Sequence, residues 1–204
     1  MPRRTTMLAG LLLCLLGAGI AAVTALSDGR SHPAAPRVLL GPRMPAHFAA
    51  GDFTLHDQAG RPFSMAATRG RVVVMTFLHS ECHSTCIVTA QTIRGALDDI
   101  GAARGGVDAV ALSVAPREDT AEHVRSFLRV QHAGFLRYLT GPAPALRAAW
   151  RRYGVHPLTQ GEDHTAFVFL IDRRGIIRVG FPSTEATSED LAHDLRVLLA
   201  ERGA

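Results

Sequence analysis

The sequence contains no lysine, and the part expected to fold has almost no surplus of positive charge. All 22 basic residues are arginines, which we interpret first as codon bias and only second as a functional feature. Four of these arginines and one of the 18 acidic residues lie in the first 41 positions, which leaves 18 arginines against 17 acidic residues beyond them. Nucleic-acid binding by charge needs a clustered basic surface. We therefore expect no nucleic-acid partner.

Internal repeats and low-complexity tracts are also missing. With 47% hydrophobic and 20% charged residues among 204, the chain is too apolar for a disordered protein and too charged for a membrane protein with several spans. This length suits one domain of about 150 residues and an additional segment. The composition therefore predicts one folded core.

The additional segment is an apolar run at the N-terminus. Residues 7–26 contain one polar side chain, a threonine, and about 20 helical residues span the hydrocarbon core of a bilayer. Arg3 and Arg4 precede the run, so the short flank should stay in the cytoplasm and the rest should lie outside it. We expect a domain held at the outer side of the cell membrane, or a periplasmic or secreted one if the segment is cleaved. The predicted organisation is a membrane anchor or signal peptide over residues 1–26, a linker over 27–47 and a folded domain over 48–204.

Beyond residue 48, short apolar runs alternate with segments of helical period, which is typical of an α/β domain. The run at residues 72–78 is continuous and rich in β-branched residues, as in a strand covered on both faces. An N-terminal β-hairpin followed by this order of strands and helices is that of a thioredoxin-like fold with an insertion. We predict strands at residues 53–55, 62–64, 72–78, 107–114, 166–171 and 176–181, and helices at 85–100, 121–132, 143–153 and 188–200, the last capped by Ser188.

Two cysteines of the domain lie four residues apart at a predicted helix start. Of the three cysteines, Cys14 falls in the apolar run, which leaves Cys82 and Cys86. The N–H groups and dipole of a helix N-terminus lower the pKa of a thiol there. Residues i and i+4 share a helix face about 6 Å apart, within reach of a disulfide or of a shared soft metal ion. An inert structural disulfide is the alternative, although a loop this short gives little stabilisation.

From about residue 48 the chain resembles the SCO/SenC family, as a divergent member. This family comprises membrane-anchored, thioredoxin-like proteins implicated in copper delivery to cytochrome c oxidase. The matching stretches are FTLHDQAGRPFS, RGRVVVMTFLHSECHSTC, LSVAPREDT, a helix ending in RRYGV, and EDHTAFVFLIDRRG. The family's copper site consists of the two cysteines of CxxxC and one distal histidine before a core strand. The resemblance therefore implies Cys82, Cys86 and His164 as metal ligands.

The residues themselves also favour His164. It lies just before the strand predicted at residues 166–171, whose start faces the cysteine-bearing helix in a thioredoxin-like topology. Two thiolates and one imidazole form a small, soft ligand set suited to Cu(I) and serviceable for Cu(II). A solvated loop histidine is the alternative for His164. His79 and His83 flank the cysteines and either assist them or lie at the surface.

The resemblance implies a copper chaperone whose partner is the copper-bearing subunit of cytochrome c oxidase or another copper protein. The CxxxC loop departs from the family pattern, because it lacks the usual proline after each cysteine and the acid between them. A loop without these prolines is less preorganised. The departures are His83 and Ile87 at the proline positions, Ser84 at the acid, and Ala115 where an aspartate usually precedes Pro116.

A membrane-anchored thiol–disulfide oxidoreductase is the second hypothesis, so the sequence leaves open whether the chain is an enzyme. Such a protein would cycle Cys82 and Cys86 by exchange, and it would be active without His164. A peroxiredoxin-like peroxidase is disfavoured. Its usual proline and threonine, seven and three residues before the reactive cysteine, are replaced by His79 and His83.

Overall fold

A five-stranded mixed sheet lies at the centre of the computed structural model, which describes residues 38–157 and 166–201. Two short 3₁₀ helices cover Ala66–Thr68 and Gly101–Gly106. The other elements in chain order are β1 (Thr54–His56), β2 (Pro62–Ser64), β3 (Val72–Leu78), α1 (Thr85–Asp99), β4 (Val107–Ser113), α2 (Ala121–Val130), β5 (Arg137–Leu139), α3 (Ala143–Tyr153), β6 (Phe167–Ile171), β7 (Ile177–Pro182) and α4 (Ser188–Ala200).

Strand β3 occupies the middle of the sheet. The strand order is β5-β4-β3-β6-β7, with β3 parallel to β4 and antiparallel to β6. All seven residues of β3 are buried, as expected of an apolar strand covered on both faces. The sheet divides the hydrophobic core into two clusters. Helices α1, α2 and α4 contribute to one cluster, while α3 and the antiparallel β1–β2 hairpin contribute to the other.

The predicted order of strands and helices is confirmed, with one strand missed and one cap assigned wrongly. Strand β5 has only three residues, too few to show a hydrophobic period, and it forms by pairing with the edge of β4. Ser188 does not cap α4. The side chain of Thr187 accepts the N–H of Asp190 at 3.0 Å, while the Ser188 hydroxyl donates to the carbonyl of Thr92 at 3.0 Å. Ser188 therefore links two helices instead of starting one.

Part of the predicted linker packs onto the domain. Leu39 belongs to the hydrophobic core, and the N–H groups of Leu40 and Gly41 donate to the carboxylate of Asp194 at 2.8 and 3.0 Å. Asp194 is fully buried, and these two bonds, with a contact to Nδ1 of His193 at 3.0 Å, give its buried carboxyl group polar partners. The predicted anchor at residues 7–26 lies outside the described residues. Among those that are described, no helix is long and apolar enough to cross a membrane.

Candidate metal centre

The two cysteines lie on the connection between β3 and α1. Cys82 is in the loop and partly buried, whereas Cys86 is in the first turn of α1 and is 1% exposed. The loop turns back on itself, because the N–H of Cys82 donates to the carbonyl of His79 at 3.1 Å. Both residues are thiols in the structure. The predicted placement at a helix N-terminus is confirmed for Cys86, whereas Cys82 precedes the helix, so the two residues do not share a helix face as predicted.

The two sulfur atoms share a set of short-range hydrogen bonds. Sγ of Cys86 accepts the N–H of His79 at 3.4 Å. The Cys82 thiol interacts with the Cys86 thiol, and its Sγ lies 3.7 Å from the hydroxyl oxygen of Ser84. Ser84 precedes α1 without making a capping side-chain hydrogen bond. Its hydroxyl is therefore available to the sulfur of Cys82.

The environment makes the two thiols unequal. Burial opposes ionisation of Cys82, but hydrogen bonds from the N–H groups of Ser84 and Cys86 outweigh it, so the net effect lowers the pKa of Cys82. Burial dominates at Cys86 and raises its pKa strongly. Cys82 is therefore the thiol that ionises first, and Cys86 keeps its proton until a metal or an electrophile displaces it.

A buried carboxylate anchors the loop that carries Cys82. Asp119 is 4% exposed and follows β4 in the chain. Its Oδ1 accepts both the N–H and the hydroxyl of Ser80, at 2.7 and 2.6 Å. Its Oδ2 accepts the hydroxyls of Ser113 and Tyr138, the latter at 3.0 Å. Burial and the adjacent Asp119 raise the pKa of Tyr138, which keeps this hydroxyl protonated as a donor.

Solvent reaches Cys82 through a cavity of about 290 Å³ between the cysteine loop and α2. Its lining combines polar side chains with apolar ones from both helices. Among the lining residues are Cys82, His83, Ile87, His123, Phe127 and Val130. Val130 is 60% exposed, so this side of the cavity is open to solvent. An ion or a partner can therefore approach the exposed thiol without rearrangement of the core.

The predicted site residues have different outcomes. Cys82 and Cys86 are brought together, while His164 lies outside the described residues. His83 is exposed, but the side chain of His79 is only 12% exposed. Asp119 is not among the predicted site residues, because nothing in the sequence around it indicates that Ser80 and Tyr138 will surround its carboxylate.

A sequence profile of the SCO1/SenC family matches residues 42–200. The chain belongs to the SCO1/SenC family. An SCO2-like protein of Rickettsia prowazekii is 24% identical over 134 residues, which cover 61% of this chain and 65% of that protein. The chain thus spans slightly less than two thirds of that relative.

Solved structures of other Sco proteins show the same fold. ScoI of Bradyrhizobium japonicum, determined with copper bound, is 27% identical with a TM-score of 0.64, and the match covers 74% of this chain and 99% of that one. BsSco belongs to the Sco family of cytochrome c oxidase assembly proteins and has a disulfide switch. It is 19% identical with a TM-score of 0.67, covering 82% of this chain and all of that one. The likeness confirms the thioredoxin-like Sco fold.

This SCO1/SenC domain builds its cysteine loop without the prolines usual in the family. The turn is held instead by the carbonyl of His79, which accepts the Cys82 N–H, and by the hydrogen bonds from Ser80 to Asp119. Ala115 retains a backbone role, since its carbonyl accepts the N–H groups of Glu118 and Asp119 at 2.9 and 2.8 Å. These hydrogen bonds fix the backbone of a loop that contains no proline.

Proposed function

We propose that this SCO1/SenC protein binds one copper ion through Cys82, Cys86 and His164 and passes it to a copper protein. The expected recipient is the copper-bearing subunit of cytochrome c oxidase. The observation that carries the proposal is the interacting pair of thiols at the start of α1, one of them accessible and with a lowered pKa.

The donor set fits copper. Thiolates are soft ligands that favour Cu(I), and an added imidazole also suits Cu(II). The lowered pKa of Cys82 makes its thiolate available first, and the ion then displaces the proton of Cys86, as metal binding to thiols requires. ScoI of Bradyrhizobium japonicum, a relative of the same fold, holds copper.

The strand pairing supports His164 as the third ligand. The hydroxyl of Thr76 on β3 donates to the carbonyl of Phe167 at 2.9 Å, and Thr76 pairs with Val168. The start of β6 therefore lies at the edge of the sheet where β3 ends and the cysteine loop begins. His164 precedes Phe167 by three residues, and three residues reach at most about 10 Å.

The exposure of Cys82 supports release as well as binding. A metal held by one accessible thiolate, one buried thiolate and one loop histidine is open to an incoming ligand from the cavity beside Cys82. Ligand exchange through a shared intermediate then needs no unfolding of the domain. A site that retains its ion permanently usually has a complete ligand shell made by the protein.

The test is a titration of the reduced full chain with a chromophoric Cu(I) competitor. Either Cys→Ser substitution should abolish competitive binding, because one thiolate and one imidazole hold Cu(I) weakly. His164→Ala should weaken binding by at least about tenfold, whereas the control His83→Ala, a change of the exposed neighbouring histidine, should leave it unchanged. Wild-type affinity in His164→Ala would show that the assigned ligand is wrong.

Thiol–disulfide exchange is the second candidate function, and the inequality of the two thiols favours it. The Cys82 thiolate would attack a client disulfide, forming a mixed disulfide and releasing one client thiolate. Cys86 would then attack Cys82 and release the second client thiol, so that two electrons pass to the client and a Cys82–Cys86 disulfide remains. Under this function His164→Ala reduces a disulfide substrate at the wild-type rate, while Cys82→Ser does not.

A further inference from the structure

The cysteine loop and the neighbouring turn carry a second group of potential ligands that contains no sulfur. His79 and Glu81 lie on the loop, and Glu118 lies on the turn after β4. One ligand atom from each of the three side chains lies within 4.8 Å of the other two. We propose that His79, Glu81 and Glu118 bind a divalent transition-metal cation at a site separate from the two thiols.

His79 provides the fixed ligand of this site. Its Nε2 is buried and has no hydrogen-bond partner among residues 38–157 and 166–201. Oε2 of Glu118 lies 2.8 Å from that nitrogen, but the two groups are not oriented for a hydrogen bond. The backbone of His79 is held at both ends, because its N–H donates to Sγ of Cys86 and its carbonyl accepts from Cys82. The nitrogen thus faces a carboxylate without a hydrogen bond between them, and a cation bound by both atoms would satisfy this buried polar group.

The charge of the group matches a divalent cation. The two glutamates contribute two negative charges, and a neutral imidazole adds a lone pair. Within the described part of the chain, the ion pairs of these glutamates are with histidines: Glu118 with His79, and Glu81 with His123 at 3.2 Å. No arginine there neutralises either carboxylate. The group therefore retains a negative charge whenever these histidines are uncharged.

The side chains of Glu81 and Glu118 can move to the distances that a bound ion requires. Zinc-like ions bind nitrogen and oxygen at about 2.0–2.2 Å, which places ligand atoms about 3.0–3.6 Å apart. The present separations depart from that range in both directions, since Nε2 of His79 lies 2.8 Å from Oε2 of Glu118 and the set as a whole spreads to within 4.8 Å. The Glu81 and Glu118 side chains are 45% and 51% exposed, so both can rotate toward a buried, fixed imidazole. Water completes the coordination from the open side.

The donor chemistry separates this site from the cysteine pair. Imidazole and carboxylate suit Zn²⁺ and Cu²⁺, whereas thiolates bind Cu(I) as well as Zn²⁺. One loop thus presents sulfur at the start of α1 and a nitrogen–oxygen set toward the turn after β4. The rival explanation is that the two histidine–glutamate ion pairs are structural and complete in themselves.

Zinc binding measured by calorimetry on the full chain tests the proposal. Cys82→Ser/Cys86→Ser removes the thiols, and this variant should still bind one Zn²⁺. Adding His79→Gln or Glu118→Gln should weaken that binding by at least about tenfold. Glu122→Gln is the matched control, because Glu122 is exposed on the first turn of α2 and should leave zinc affinity unchanged.

A second measurement avoids the cysteine substitutions. With its cysteines reduced, the chain should take up two equivalents of Zn²⁺, and Glu118→Gln alone should lower this to one. The proposal is overturned if the double serine variant, folded by circular dichroism, binds no zinc, or if Glu118→Gln changes neither affinity nor stoichiometry. Neither result affects the conclusion drawn from the Cu(I) titration, so the two proposed sites are tested independently.

Discussion

Replacing Asp119 by alanine should destabilise the protein and loosen the cysteine loop. The carboxylate accepts four hydrogen bonds from Ser80, Ser113 and Tyr138 while almost fully buried. Tyr138 keeps an alternative acceptor, because its hydroxyl lies 2.9 Å from the carbonyl of Leu78, and the serine hydroxyls can rotate. The Ser80 N–H belongs to the backbone and cannot rotate to another acceptor. One stranded buried donor costs about 1–3 kcal/mol, so the expected loss is about 1–3 kcal/mol in the free energy of unfolding.

Asp119→Asn separates the hydrogen bonds from the charge. The amide oxygen still accepts from Ser80, and the hydroxyls of Ser113 and Tyr138 can accept from the amide nitrogen. The expected loss is therefore only about 1 kcal/mol. Asp98→Ala serves as the control, since Asp98 is 61% exposed and pairs with Arg104 at 3.3 Å, a surface contact of about 0–1 kcal/mol.

The assay is urea unfolding of the three variants, together with the rate at which Cys82 reacts with a thiol reagent. Asp119→Ala should be the least stable variant, and its cysteine loop should show altered Cys82 reactivity under native conditions. If Asp119→Ala loses no more stability than Asp98→Ala, the carboxylate does not anchor the loop and the reasoning fails.

Three further predictions concern the thiols and the topology. Air oxidation of the metal-free protein should form a Cys82–Cys86 disulfide, so mass spectrometry should find two fewer alkylated thiols before reduction than after. Alkylation of both Cys82 and Cys86 before reduction would count against it. Because its pKa is lowered, Cys82 should reach its maximal alkylation rate at a lower pH than an unperturbed cysteine, while the raised pKa of Cys86 delays its reaction to higher pH. Protease added to spheroplasts should digest the domain, and complete protection would refute the extracytoplasmic placement.

The sequence predicted elements whose formation depends on local pattern, and it missed those that depend on distant partners. The apolar run of β3 and the helical period of α3 are visible in the chain, and both elements have the predicted bounds. Strand β5 exists because β4 offers an edge. The cap at Thr187 could not be told from Ser188 beside it, since both side chains can accept the same type of bond. Only the tertiary contact with Thr92 occupies Ser188.

The candidate site, like the fold, combines features that follow from local sequence with features that depend on distant partners. Cys82 and Cys86 were recognisable because their spacing and their position after a strand are both sequence properties. For His79 the sequence left open whether it assists the cysteines or lies at the surface, because nothing near it indicates that Glu118, 39 positions further along, will lie beside its ring. Glu118 and Asp119 gain their significance only when β4 lies beside β3 in parallel register, with Leu78 opposite Ser113. That pairing brings the ends of two strands, and the loops that follow them, to one edge of the sheet.

Asp119 links the two proposed metal sites. Asp119 holds Ser80 by two hydrogen bonds, and Ser80 lies between His79 and Glu81 in the chain. Glu118 immediately precedes Asp119. Loss of Asp119 should therefore disturb the nitrogen–oxygen set and the nearby thiols together. We expect Asp119→Ala to weaken both Zn²⁺ binding in the cysteine-free background and Cu(I) binding in the cysteine-containing chain, whereas Glu118→Gln weakens only the former. If Asp119→Ala, still folded, changes only one of the two affinities, the loop does not couple the sites, and each is positioned by its own contacts.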